Sequence, residues 1–133
     1  MSIKATIAGP VVTLECSGVL SEGDLDTLFK AFESARKVGP FVVITDTTQM
    51  RSAPRDVLSA FASRLKQLPP LTNTWLGDAV VIHSTTVRFI VSTLLIIAPM
   101  PTEVKVFETV SEAKRWSAWL LRRAGVSAPV ASV

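Results

Sequence analysis

GPFVVITDTTQMRSAP, residues 39–54, passes from a turn pair through an apolar run into a polar stretch and a second proline. Gly39-Pro40 stops whatever precedes it, because glycine frees the backbone and proline lacks an N–H donor. Phe41, Val42, Val43 and Ile44 follow without alternation, as suits a strand covered on both faces. Such a run predicts the central strand of an α/β domain. TDTTQMRSAP, Thr45–Pro54, then reads as the turn from that strand into a second helix.

Upstream, IKATI and VVTLECS flank Ala8-Gly9-Pro10 and predict an antiparallel hairpin. Val12, Leu14 and Cys16 share one face of its second strand; Thr13, Glu15 and Ser17 share the other. Cys16 is therefore read as a small core residue rather than a nucleophile. Ser21 and Asp24 form a helix-start pair, after which Leu25, Leu28, Phe29 and Phe32 recur at helical spacing.

Downstream, Val57, Leu58, Phe61, Leu65 and Leu68 mark a second helix, closed by Pro69-Pro70. LTNTWLGD, residues 71–78, reads as a polar loop, and AVVIH, residues 79–83, as a buried strand. STTVRFIVSTLLIIAPMP, residues 84–101, offers hydroxyl caps, an apolar helix and a proline stop. EVKVF is a short last strand. Thr109 with Glu112 forms a capping box for a helix bearing Ala113, Trp116, Trp119 and Leu120. Both of these tryptophans are expected to pack on the sheet. The order β-β-α-β-α-β-α-β-α demands right-handed parallel crossovers after one antiparallel hairpin. The expectation is one α/β domain over residues 1–124, with a mixed, mainly parallel five-stranded sheet and four helices packed on it. Residues 125–133, GVSAPVASV, read as a disordered tail.

A chain of 133 residues with 48% hydrophobic and 19% charged content supports one domain with a real core. Disorder is confined to its ends. A single cysteine excludes an internal disulfide and a thiolate metal cluster. The first residues do not form a basic, apolar leader, so cytoplasmic residence is expected. Residues 1–50 carry four Lys/Arg against six Asp/Glu, and residues 51–133 carry ten against five. The basic residues are scattered and not interleaved with aromatics, so nucleic acid is not an expected partner. Neither Gly-x-Gly-x-x-Gly nor Gly-x-x-x-x-Gly-Lys occurs, and no cofactor is expected.

EVKVFETVSEAKRWSAWLL, residues 103–121, resembles the C-terminus of the SpoIIAA-like proteins. There a short strand V-x-V-F precedes a helix bearing E-A-x-x-W-L. Val104, Val106, Phe107, Glu112, Ala113 and Trp116 match, with Ser117 where leucine is usual. VVTLECSGVLSEGDLDTLFKAF, residues 11–32, resembles the second strand, Gly-x-Leu turn and first helix of the same proteins. The resemblance spans nearly the whole chain. It implies the STAS-like fold, related in topology to the lipid-binding domain of CRAL-TRIO proteins, and a non-enzymatic regulatory or protein-interaction module. Anti-sigma-factor antagonists of this kind carry Asp-Ser-Ser/Thr-Gly in the turn after the central strand, with a serine phosphorylated by a partner kinase. Ser52 stands at about that serine's position, but no Asp-Ser precedes a glycine here.

Ser52 is accordingly the phosphoacceptor candidate, with Arg51 and Arg55 close in sequence to meet a phosphate. Its plainer reading is a cap on the second helix. Asp46 ends a central parallel strand, where α/β sheets place ligands. Its plainer reading is an Asx bond to Thr47 or Thr48. His83 ends the next strand, so Asp46, Ser52 and His83 can in principle meet at one sheet edge. The nucleophile elbow Gly-x-Ser-x-Gly is missing and one histidine makes no metal site, so no catalytic or metal residue is expected. Asp46, Thr47, Thr48, Arg51 and His83 remain as switch-loop or ligand-edge candidates.

The segment from Val87 to Met100 is too short to cross a bilayer, which takes about twenty residues. Phe89, Ile90, Leu94 and Ile97 help cover most of its circumference, leaving Arg88, Ser92 and Thr93 as a thin polar strip. It reads as a core helix or as a contact for a second copy, a hydrophobic small molecule or lipid, or a membrane surface. In the last case Arg88, Arg122 and Arg123 would meet head groups together. Trp75, in the polar loop, is expected to cover a sheet edge or a ligand entrance. The function expected is a STAS-type module binding a protein partner or dimerising; the alternative is a binding protein for a lipid-like ligand.

Overall fold

The computed structural model describes residues 2–69, 74–97 and 100–126. Gly9 takes φ 58°, a left-handed turn that glycine adopts at no steric cost, and Ala8 pairs with Val11 across it. β1 (Ile3–Ala8) and β2 (Val11–Val19) thereby form the antiparallel hairpin. The elements that follow are α1 (Glu22–Val38), β3 (Phe41–Ser52), α2 (Arg55–Lys66), β4 (Trp75–Val81), α3 (Thr85–Ile97), β5 (Val104–Phe107) and α4 (Val110–Arg123). The strands lie side by side in chain order, and every pair after the hairpin is parallel.

That order fixes the layers. Each crossover steps one strand in the same direction, so a common hand puts every crossover helix on the same face. α1, α2 and α3 accordingly share one core with the inward residues of the strands, such as Val12, Leu14, Val43 and Val80. α4 follows the last strand and folds over the opposite face, against Val42, Ile44, Ala79 and Val81. Phe41 to Ile44 are at most 2% exposed, as a central strand requires.

The local signals held. Asp24 accepts the Ser21 N–H at 2.8 Å and closes the start of α1. Its other oxygen accepts the N–H groups of Ser2 and Ile3, tying β1 to the same helix. Burial works against its charge, but the hydrogen bonds from Ser21, Ser2 and Ile3 hold its pKa below the ordinary carboxylate value. Thr109 Oγ1 accepts the Glu112 N–H at 3.2 Å and begins α4. Ser117, the residue standing where leucine is usual, is buried and donates to the Ala113 carbonyl at 2.8 Å.

Several readings fail, each for a tertiary reason. TDTTQMRS is not a turn: it continues β3, pairing along β2 from Glu15–Asp46 to Val19–Ser52. Two register shifts in that ladder put extra residues into β3, the first between Asp46 and Gln49. Trp75 to Asp78 are not loop but the start of β4, since Trp75 pairs with Phe41. Trp75 is 3% exposed, stacked on Phe41 at 6.1 Å and tilted against Phe32 at 4.7 Å. It covers no edge or entrance. Aromatic partners far away in sequence outweigh the Asn-Gly-Asp composition around it. Trp116 is half-buried beside Phe107, whereas Trp119 is 43% exposed with the Arg123 guanidinium 4.6 Å from its ring. Gly125 and Val126 bond back to Arg122 and Leu121; residues 127–133 of the expected tail lie outside the described residues.

Candidate functional site

The candidate switch residues sit on the outer half of β3. Thr48 N–H, at the first register shift, donates to Asp46 Oδ1 at 3.0 Å. The Asx bond foreseen for Asp46 is therefore present, but it serves a bulge in a strand rather than a turn. Thr47 is buried, and its hydroxyl donates to the Val81 carbonyl at 2.6 Å. Ser52 ends the strand and caps nothing: the N-cap of α2 is Pro54, without a side-chain bond. The cap reading fails because β3 runs on to Ser52 itself. Arg51 and Arg55 are exposed on either side.

His83 is exposed and its Nε2 meets the Glu108 carbonyl across the β4–β5 edge. Among the described residues no hydrogen bond joins Asp46, Ser52 and His83. Nor does any group of three or more His, Cys, Asp or Glu among them stand close enough to hold a metal.

The sheet face under α2 and α3 encloses a second candidate site. A cavity of about 110 Å³ lies there, lined almost wholly by apolar side chains that include Leu14, Met50, Phe61, Val91 and Leu94. Three polar residues interrupt the lining on the strand side: Thr45, Thr47 and Asp78. Asp78 is 6% exposed, and one of its oxygens accepts the Thr45 hydroxyl at 2.8 Å. Burial pushes its pKa up to about 7, against the opposing pull of that hydrogen bond. Cys16 also borders the cavity. Burial, reinforced by the charges of Asp78, Asp46 and Asp24, pushes its thiol up to about 12, so it stays protonated and unreactive.

Sequence reasoning passed over Asp78 because Asn73-Thr74-Trp75-Leu76-Gly77-Asp78 carries loop-forming residues. A signal was there. Asp78, Val80 and Ile82 are two apart, which puts the acid on the same strand face as two core residues.

α3 departs from the core-helix reading. Only Val87 is buried, while Phe89 is 72% exposed, Ile96 81% and Ile97 44%. Ile90 and Leu94 line the cavity instead. Of the contact candidates, Phe89 and Ile97 face outward, Ile90 and Leu94 inward, and Trp75 lies in the core. Arg88 on α3 cannot join Arg122 and Arg123, because α3 and α4 cover opposite faces of the sheet. No helix among the described residues is long and apolar enough to cross a membrane.

No protein-family model matches the chain, and no curated protein is significantly similar to it in sequence. Solved structures are more informative. An uncharacterized protein of the DUF3478 family with a SpoIIAA-like fold, from Shewanella loihica PV-4, superposes with TM-score 0.60 at 17% identity. The match covers 86% of this chain and 91% of that one. The chain has a SpoIIAA-like fold. An anti-sigma factor antagonist from Mycobacterium paratuberculosis superposes with TM-score 0.53 at 15% identity, covering 87% of this chain and 92% of its own. The SpoIIAA-like arrangement explains why one short C-terminal stretch was informative. The strand and helix of residues 103–121 are β5 and α4, the edge of the sheet and the cover of its second face.

Proposed function

We propose that the chain is a non-enzymatic regulatory module of the STAS type, acting in the cytoplasm by contact with a protein partner or a second copy of itself. The observation that carries this reading is the outer face of α3, where Phe89 and Ile96 are 72% and 81% exposed. On a fold shared with an anti-sigma factor antagonist, an apolar helix face of this kind supports a contact surface. The module works without an intact phosphoacceptor motif, and Ser52 at the end of β3 is not its switch. Two experiments test this. Light scattering with size-exclusion chromatography should find a dimer or a partner complex that the Phe89→Ser, Ile96→Ser double variant loses. A wild-type chain that stays monomeric and partner-free in its native host, like the variant, sinks the reading. Phosphoprotein mass spectrometry from that host should find Ser52 unmodified; stoichiometric phosphate there would restore the kinase switch.

A second reading is favoured by the cavity under α2 and α3: the chain binds a small hydrophobic or lipid-like molecule. Its apolar lining and its volume, of the order of the roughly 150 Å³ that holds benzene in an engineered core, support that alternative. Thermal stabilisation by toluene, lost in a cavity-filling Leu94→Trp variant, is the expected result.

A further inference from the structure

The polar residues of the cavity have used up their donors. Thr45 gives its one hydroxyl proton to Asp78, and Thr47 gives its own to the Val81 carbonyl. Cys16 is a weak donor at best. Asp78 is 94% withdrawn from solvent by its 6% exposure, yet among the described residues only Thr45 bonds to its side chain. Among the described residues its second oxygen has no hydrogen-bond donor. No Lys, Arg or His lines the cavity. A carboxyl in an apolar wall without a cation is costly unless something supplies the missing donor.

We infer that the cavity is a binding site for a small apolar amine, its tail against Leu14, Val91 and Leu94 and its ammonium group donating to Asp78. The inference rests on the hydrophobic-ligand reading and adds its recognition chemistry. Acceptor-only walls suit a donor head and repel a carboxylate or phosphate head. A neutral alcohol makes the same hydrogen bond without the ion pair, so it stands between the two. The raised pKa of Asp78 fits a carboxyl awaiting a cation, since an ammonium at its side would return it to the ordinary range.

The test uses four probes of nearly equal size: benzylamine, benzyl alcohol, benzoate and toluene. Dissociation constants from NMR titration near pH 7.5 are compared for the wild type, Asp78→Asn and Leu94→Trp. Benzylamine should bind the wild type tightest, by roughly tenfold or more over toluene, with benzoate weakest. Asp78→Asn keeps the size of the side chain and an oxygen for Thr45, so it should fold. It should cost benzylamine most of its advantage and leave toluene unchanged. Leu94→Trp should abolish binding of all four. If toluene binds but benzylamine gains nothing over it, or keeps its advantage in Asp78→Asn, the amine site is wrong and the hydrophobic-ligand reading stands. If none of the probes binds the wild type, both fall.

Discussion

α3 carries eight apolar side chains in thirteen residues and buries one of them, Val87. α4 carries five charged side chains in fourteen residues and buries four residues: Ala113, Ser117, Leu120 and Leu121. Composition alone would assign the two helices the opposite way. The difference lies in what each meets. α4 lies on Gly77, where an added Cβ would stand 2.5 Å from Leu120 Cδ1 and 2.9 Å from Trp116, so the helix seats directly on the sheet backbone. α3 lies over a strand face interrupted by Thr45, Thr47 and Asp78, and its inner residues border a void instead of filling one. Apolar surface on a helix is a capacity for burial; the opposing surface decides whether it is used. What α3 leaves unused inside the fold is what the proposed contacts use outside it and in the cavity.

The contrast breaks most clearly in the core under α4. Leu120→Ala should cost about 4 kcal/mol in urea unfolding, because Leu120 is 2% exposed and closely surrounded. Leu94→Ala on α3 should cost less than half as much, since Leu94 already borders empty space. Equal losses would mean that the two helices are equally well seated.

Next in size is the effect of Asp78. A carboxyl whose folded pKa stands near 7, above an unfolded value near 4, binds more protons in the folded state across that interval. Its contribution to stability is therefore present below about pH 4 and is lost as pH rises through about 7. Asp78→Asn should remove this slope and leave the protein more stable at pH 8 by on the order of 3 kcal/mol. Parallel stability–pH curves for wild type and variant would show that Asp78 titrates normally.

Gly77→Ala should cost about 2 kcal/mol, as overpacking beneath α4 forces Leu120 and Trp116 to shift. The smallest effect is expected at Phe89→Ser, which should change monomer stability by no more than about 0.5 kcal/mol while altering association. A large loss at this 72% exposed position would mean that α3 is covered in the folded monomer.

Much of this fold was legible in the chain. The element order, the Ser21–Asp24 and Thr109–Glu112 helix starts and the Gly9-Pro10 hairpin are set by neighbours within a few residues, where backbone and capping chemistry acts. The run Phe41–Ile44 also declared the doubly covered central strand by itself. The site was less legible, because its geometry comes from pairs far apart in sequence. Only pairing with β2 turns TDTTQMRS from a turn into strand, and only Phe32 and Phe41 draw Trp75 into the core. Thr45 and Asp78 meet at 2.8 Å across thirty-three positions of chain, a contact no local pattern encodes. Sequence determined the order of helices and strands and their local starts; the tertiary structure decided how far β3 and β4 extend and which face of each element is covered, because pairing and burial belong to pairs of surfaces.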